Sequence, residues 1–152
     1  MNTVLRSFAM IAPLVAFPLF AQAQGKPEHA HGKEAGHYKV PPPADVKAAW
    51  SLIVSKVQES ETKLAGMQMD AVHEIGEQLE AAAHVLRTKS DMVTDAARKR
   101  FDSALTQLDK AIDGLHHAAE EKEAAQATLE LGKIKGLLPL IENQYPAGVL
   151  RY

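Results

Sequence analysis

The chain has 152 residues, of which 46% are hydrophobic, with a formal net charge of −2, seven histidines and no cysteine. This near-neutral charge argues against nucleic acid or an anionic membrane as a partner, because both require a basic face. The absence of cysteine excludes disulfides, thiolate metal sites and covalently attached c-type haem. The fold must therefore rest on packing alone.

Residues 1–23 predict a cleavable export signal. Arg6 supplies the positive charge, and residues 8–20 form an uncharged apolar run that contains two prolines. A bilayer span needs about 20 apolar residues, so we do not expect a membrane anchor. Small residues before the cleavage position predict cleavage after Ala23 and a periplasmic location.

Residues 24–43 form a His- and Pro-rich segment with almost no apolar residues. Such a segment cannot bury enough surface to fold, so it predicts a disordered tail, in which 41–43 is a stiff extended spacer. The tail contains His29, His31 and His37. Imidazole binds zinc, copper and nickel, and a His-x-His pair on a flexible backbone can place two rings on one ion. The alternative is a polar linker in which the histidines are incidental.

Residues 44–152 predict four amphipathic helices, because apolar residues recur at steps of three and four. Four such helices with short connections are typical of an all-α, antiparallel up-down-up-down four-helix bundle. The predicted stripes are Val46, Trp50, Ile53, Val57 and Leu64, with Ser60 in a missing slot; Met69, Val72, Gly76, Leu79, Ala83 and Leu86; Ala97, Phe101, Ala104, Leu108, Ala111, Leu115 and Ala118; and Ala124, Ala127, Leu131, Ile134, Leu138 and Ile141.

The helix ends have recognisable signals. Asp45 and Thr94 are suited to cap the first and third helices, and Gly66 to end the first. Pro139 is expected to kink or end the fourth helix, because proline lacks a backbone donor and clashes with the preceding turn. The segment 145–152 is apolar for a terminus, so we expect it to pack back on the bundle.

The second helix carries two columns of polar side chains. Asp70, Glu77 and His84 are spaced by seven, and His73 and Glu80 lie in the neighbouring column. Spacings of three and four allow two side chains of one helix to bind a common ion. Both columns flank the apolar stripe, however, so the favoured interpretation is a solvated face with His–Glu pairs.

A third candidate lies near the end of the third helix, at His116 and His117. Counting outward from the second connection predicts that His116 lies closer to Met67 and Met69 than to His73. Two thioethers with imidazole would form a soft donor set suited to copper. The alternative is structural: histidine in a last turn interacts favourably with the helix dipole, and methionine fills core gaps.

The sequence lacks the common catalytic motifs. It contains no G-x-S-x-G, no HExxH and no phosphate-binding glycine loop. We therefore expect a protein that is not an enzyme.

The chain resembles a group of small exported helical proteins of Gram-negative bacteria that have a His-rich mature N-terminus. The resemblance covers most of the mature chain and rests on Val72-His73-Glu74, Leu115-His116-His117-Ala118-Ala119 and Tyr145-Pro146-Ala147. Members of the group look like companions of heavy-metal efflux systems. The resemblance thus implies a metal context and a periplasmic or efflux partner, and it favours His73 and His116 among the histidines.

The predicted architecture is also similar to cytochrome b562, which holds haem between a Met of its first helix and a His of its last. Here the first helix has no Met and the last has no His, so haem bound in that manner is not expected. The leading hypothesis is a periplasmic metal-binding accessory protein that buffers or delivers copper, zinc or nickel. The alternatives are a non-enzymatic structural or protein-interaction bundle and, third, a b-type haem protein.

Overall fold

The computed structural model describes residues 40–150, so the predicted export signal and the tail histidines His29, His31 and His37 lie outside the described residues. The described part contains four α-helices and no strand. They are α1 (Val46–Ala65), α2 (Met69–Thr88), α3 (Asp95–Glu120) and α4 (Ala124–Glu142).

The helix starts follow the local sequence signals. Asp45 is the N-cap of α1, and its Oδ1 accepts a hydrogen bond of 2.8 Å from the backbone N–H of Ala48. This hydrogen bond satisfies one of the backbone N–H groups of the first turn, which have no acceptor within the helix. Thr94 is the N-cap of α3, but its side chain makes no capping hydrogen bond.

The connections α1–α2 and α3–α4 are short turns of three residues each. Gly66 is the C-cap of α1, as its sequence position predicted. The left-handed backbone conformation, however, falls on Met67 (φ 54°) in the first turn and on Lys122 (φ 62°) in the second. Such short turns require their flanking helices to be antiparallel neighbours.

Cross-helix contacts confirm the four-helix bundle. Asp70 of α2 pairs with Lys122, next to the end of α3, while Arg87 pairs with Asp109. Residue numbers therefore increase along α2 in the direction in which they decrease along α3, so the two helices are antiparallel. Helix α4 returns beside α3 and packs less extensively against α1.

The predicted stripes of α1, α2 and α3 form the core. All their apolar members except the half-buried Val46 are buried, and Ser60 is buried with its hydroxyl donating 2.8 Å to the backbone oxygen of Lys56. In α4, four predicted members of the stripe are buried, namely Ala127, Leu131, Ile134 and Ile141. Ala124 and Leu138 are only half-buried, and Leu137 is buried beside Leu138. Periodicity alone fixes a helix face only to within about a residue.

Pro139 was expected to kink or end α4, yet the helix continues for three residues to Glu142. Only one intrahelical bond is lost to its missing N–H, and the backbone oxygen of Pro139 still accepts from the N–H of Asn143 at 3.1 Å. Pro139 lies one turn from the end of α4, where the loss of one backbone hydrogen bond is tolerated.

The α2–α3 connection (89–94) is not a tight turn. Arg98 donates to the Ser90 hydroxyl and to the backbone oxygens of Ser90 and Val93 at 2.6–3.2 Å, so the connection folds back along the first turns of α3. As a result, α3 begins well beyond the end of α2. We call these first turns of α3 (95–101) the overhang.

The C-terminal segment packs on the overhang, as expected for the part that is described. Tyr145 and Leu150 are buried, and the ring of Tyr145 meets that of Phe101 edge-on at a centroid distance of 5.3 Å. Burial raises the pKa of the Tyr145 phenol to about 12. The hydroxyl makes no hydrogen bond to residues 40–150.

Between residues 40 and 150, no helix combines the length and apolarity that a membrane span requires.

Candidate metal site

Three potential ligands meet between α2 and α3, near the end of the bundle that carries the two short turns. They are His73 and Glu77 of α2 and His116 of α3. One ligand atom from each lies within 4.8 Å of the other two. His73 is half-buried, while Glu77 is 6% and His116 3% exposed. His73 therefore forms the partly accessible side of the site, and Glu77 and His116 form its buried side. Such a site admits a small ion but not a large ligand.

The spacing on α2 brings two of these groups together. His73 and Glu77 are four residues apart and therefore project from successive turns of the same helix face. His116 reaches them from the antiparallel helix α3, so the group depends on the α2–α3 interface as well as on one helix.

Gly76 is what allows α3 to approach so closely. A Cβ atom at this position would lie 3.0 Å from the Cβ and 3.3 Å from the Cα of His116. Those atoms lie next to the backbone and cannot rotate away, so a Cβ here would require α3 to shift by a few tenths of an ångström. Glycine inside a helix costs about 1 kcal/mol relative to alanine, and here it makes room for the imidazole.

The two imidazoles of the site are in direct contact. The ring centroids of His73 and His116 are 4.2 Å apart with an interplanar angle of 32°. The contact places two imidazole donors side by side at the interface of α2 and α3.

The two nitrogens of His116 have different surroundings. Nδ1 lies 3.5 Å from Oε1 of Glu80, which is partly exposed on the next turn of α2. Nε2 is inaccessible to solvent, as is Oε1 of Glu77. A carboxylate beside one ring nitrogen is the usual way in which proteins orient a histidine whose other nitrogen binds a metal.

The donor set could hold a metal ion. Imidazole nitrogens and carboxylate oxygens are common metal ligands, and here one atom of each of the three residues lies within 4.8 Å of the other two. A tetrahedral zinc ion with bonds near 2.05 Å separates its ligand atoms by about 3.4 Å. The three ligand atoms lie within 4.8 Å of one another, so binding such an ion would draw them closer together.

An ion pair links α2 and α3 just beyond the site. The Asp70 carboxylate accepts a hydrogen bond from the Lys122 ammonium, which holds the pKa of Asp70 below its ordinary value. His73 contributes in the same direction to a smaller extent. The pair is exposed, so it orders the end of the bundle without burying charge.

Two sequence expectations for this region were wrong. The face of α2 that carries His73 and Glu77 was interpreted as solvated. Glu77 is nevertheless buried, because the missing side chain of Gly76 allows α3 to pack closely beside it. The exposed members of the two columns are Asp70, Glu80 and His84.

The expected neighbourhood of His116 was also wrong. It lies level with Gly76 and against His73, not at the level of Met67 and Met69. The overhang shifts α3 relative to α2 by more than the number of connecting residues suggests. Met67 is 67% exposed in its turn, and Met69 is buried at the start of α2.

His117 does not belong to the three-residue group. It is exposed, and its two ring nitrogens lie 3.4 Å from Asp113 and 3.6 Å from Glu120, both on α3. Its ring centroid is 5.7 Å from that of His116.

Glu77 is the one member of the group that was not among the sequence-predicted ligands. The sequence did contain an indication of its burial, because a glycine such as Gly76 in the middle of an apolar helix stripe usually marks a close packing contact. The residue after Gly76 therefore lies at an interface rather than at an open surface.

No family model, curated protein or solved structure matches this chain.

Proposed function

We propose that this chain is a periplasmic metal-binding accessory protein that buffers copper, zinc or nickel or hands it to a periplasmic or efflux protein. The observation that carries the proposal is the meeting of His73, Glu77 and His116 within 4.8 Å at a largely buried position. Exposed acids and histidines are common on helices, whereas here two imidazoles and a carboxylate from two helices converge, and two of the three residues are buried.

The chemical types of the three ligands favour some metal ions over others. Imidazole and carboxylate suit Zn(II), Cu(II) and Ni(II), whereas Cu(I) prefers thiolate and thioether ligands. With Met67 exposed in its turn, the site favours a divalent ion over the soft copper site that the sequence suggested. Three protein ligands also leave one coordination position, which a buffering or delivery protein needs for exchange.

Calorimetric titration of the purified protein with Zn(II), Cu(II) and Ni(II) tests the proposal. We expect one site tighter than micromolar that is lost in His73→Ala and in His116→Ala. The matched control is His84→Ala, which removes an exposed histidine of α2 and should leave that site intact. Circular dichroism would establish that each variant is folded.

Thermal unfolding supplies an independent readout. An ion at 100 times its dissociation constant stabilises the folded state by about 2.7 kcal/mol, which raises the midpoint of a domain of this size by about 10 °C. The shift should appear in the native chain and in His84→Ala, but not in His73→Ala. An equal shift in all three would contradict the proposed site, because it would locate binding elsewhere.

A second function, a protein-interaction bundle, is favoured by the outer face of α4. Leu129 and Leu140 are more than half exposed, and a Cβ at Gly132 or Gly136 would meet no atom of residues 40–150 within 4 Å. An exposed apolar strip of this kind is typical of a surface that another protein covers. Leu129→Glu would separate the two functions, since it should abolish association through this face and leave metal affinity unchanged.

A further inference from the structure

The buried imidazole of His116 lies over Gly76, between two polar side chains of α2. The ring of His73, one turn before Gly76, has its centroid 4.2 Å from that of His116. Glu80, one turn after Gly76, places its Oε1 atom 3.5 Å from Nδ1 of the same ring. Side chains of a helix lean towards its N-terminus, so the Glu80 carboxylate leans back over the gap that Gly76 leaves. The spacing on α2 therefore brings a carboxylate to one defined nitrogen of His116.

The two edges of the His116 ring face different groups. Cδ2, the ring carbon bonded to Nε2, would lie 3.4 Å from a Cβ at Gly76. This edge therefore packs against the turn of α2 from which Glu77 projects, and Nε2 is inaccessible to solvent. Nδ1 is on the other edge, beside the partly exposed carboxylate of Glu80. The ring thus presents Nδ1 to Glu80 and Nε2 to the interior of the α2–α3 interface.

We propose that Glu80 is a positioning residue that keeps the ring proton of His116 on Nδ1, so that Nε2 is the nitrogen that binds the ion. This inference rests on the proposed metal-binding function and deepens it by assigning the ligand atom. A neutral imidazole carries one proton, and an ionised carboxylate can only accept a hydrogen bond. The nitrogen that faces Glu80 is therefore the donor, which leaves the lone pair for the metal on Nε2.

The two carboxylates that α2 brings near His116 differ in burial, and this difference divides their roles. Glu77 is 6% exposed and belongs to the three-residue group, which suits a ligand that binds the ion directly. The side chain of Glu80 is 44% exposed and lies outside that group. Because water still solvates it, Glu80 keeps its charge without the cost of full burial. It therefore acts on the ion through His116 rather than by direct contact.

Zn(II) affinities, measured on the full chain by competition with a chromogenic chelator, test this role. Loss of a carboxylate behind a ligating histidine typically costs about 10–100-fold in metal affinity, and we expect a loss of that size in Glu80→Ala. Glu80→Gln should lose less, because its amide oxygen can still accept from Nδ1. The matched control is Glu74→Ala, which removes an exposed carboxylate of the same helix and should keep the native affinity.

The position of the ring proton gives a second readout that a merely structural role would not change. In ¹⁵N NMR spectra, an imidazole nitrogen that carries a proton is well separated from one that carries a lone pair. Without metal, and at a pH at which the ring is neutral, we expect the His116 proton on Nδ1 in the native chain and in Glu74→Ala. In Glu80→Ala it should be shared between Nδ1 and Nε2. With Zn(II) bound to the native chain, the metal should be on Nε2.

The outcomes separate this inference from the function on which it rests. If the native chain binds Zn(II) through Nδ1 of His116, or if Glu80→Ala keeps either the native affinity or the native proton position, the role of Glu80 is overturned while the metal-binding function stands. Equal losses of affinity in Glu80→Ala and Glu74→Ala would also overturn it, because they would reflect charge alone. If the native chain binds no Zn(II), both proposals fail. A lower affinity together with a redistributed proton in Glu80→Ala, but not in the control, would support the assignment.

Discussion

The α2–α3 and α3–α4 interfaces each hold a buried polar side chain against a glycine of the neighbouring helix. Between α2 and α3, His116 lies against Gly76, and between α3 and α4, Glu130 lies against Gly114. A Cβ at Gly114 would lie 2.9 Å from Cδ of Glu130. In both places the missing side chain leaves the space into which a polar group fits.

The two interfaces differ in what surrounds the buried group. The Glu130 carboxylate accepts hydrogen bonds of 2.7 Å from Gln126 and from Lys133, both on its own helix. A donor and a positive charge thus compensate its burial locally. His116 instead faces an imidazole and carboxylates across the interface. Burial alone therefore does not identify a ligand, whereas the neighbours of the buried group distinguish a structural carboxylate from a candidate metal site.

Neutralising each buried carboxylate in turn tests whether the two interfaces differ in this way. Glu77→Gln keeps the shape of the side chain but removes the charge, so Zn(II) affinity should fall by about 100-fold, equivalent to about 2.7 kcal/mol. Glu130→Gln should leave the affinity unchanged. Competition with a chromogenic chelator measures both; equal losses in the two variants would mean that the effect is general to the bundle.

Replacing each of the two glycines by alanine should change the free energy of unfolding by different amounts. Gly76→Ala forces the Cβ and Cα of His116 to move, and we expect a net loss of about 1–3 kcal/mol in the free energy of unfolding, together with weaker Zn(II) binding. In Gly114→Ala the new Cβ meets the far end of the Glu130 side chain, which can move by rotating its side-chain bonds, and the better helix propensity of alanine offsets the crowding by about 1 kcal/mol.

Urea denaturation with and without Zn(II) compares these glycine variants. The expected order of stability in the absence of metal is Gly114→Ala above Gly76→Ala. The reverse order would show that the α2–α3 contact is not the tighter of the two.

A smaller effect is expected at Tyr145, which lies far along α3 from the candidate metal site. Its pKa is raised from 10 to about 12, so the folded state keeps a proton that the unfolded state releases. This contribution to stability is complete below pH 10 and is lost between pH 10 and 12. Thermal midpoints across that range should fall more steeply in the native chain than in Tyr145→Phe, and parallel curves would refute this assignment.

The smallest effect is expected at the exposed pair beside the site. Lys122 lowers the pKa of Asp70, so its contribution is present above the ordinary value of 3.8 and is lost as the pH falls through the lowered value. Midpoints measured between pH 2 and 5 should therefore depend slightly less on pH in Asp70→Asn than in the native chain. Asp102→Asn, an exposed change elsewhere on α3, is the control that should behave like the native protein.

Much of the fold was predictable from sequence because it depends on local signals. The apolar periodicity, the Asp45 cap and the position of Gly66 are properties of single helices, and the structure confirms them. The relative shift of α2 and α3 was not predictable, because it depends on the path of residues 89–94 and on the hydrogen bonds of Arg98. That shift decides whether His116 meets His73 or the methionines.

The candidate site was predictable only in part for the same reason. His73 and His116 were favoured by the resemblance, and their contact could not follow from the spacing on either helix alone. Glu77 was assigned to solvent because a polar residue beside an apolar stripe is usually exposed. Its burial is a consequence of Gly76, which changes how close the neighbouring helix lies.

The overhang has a consequence for how the molecule opens. The first turns of α3 extend beyond α2 and pack with Tyr145 of the C-terminal segment, while His116 lies about 22 Å farther along the same helix. Release of the C-terminal segment would therefore expose the amides of 95–101 to hydrogen exchange without separating α2 from α3 at Gly76. One long helix would then belong to two units of local unfolding, and an ion bound at His116 would protect only one of them.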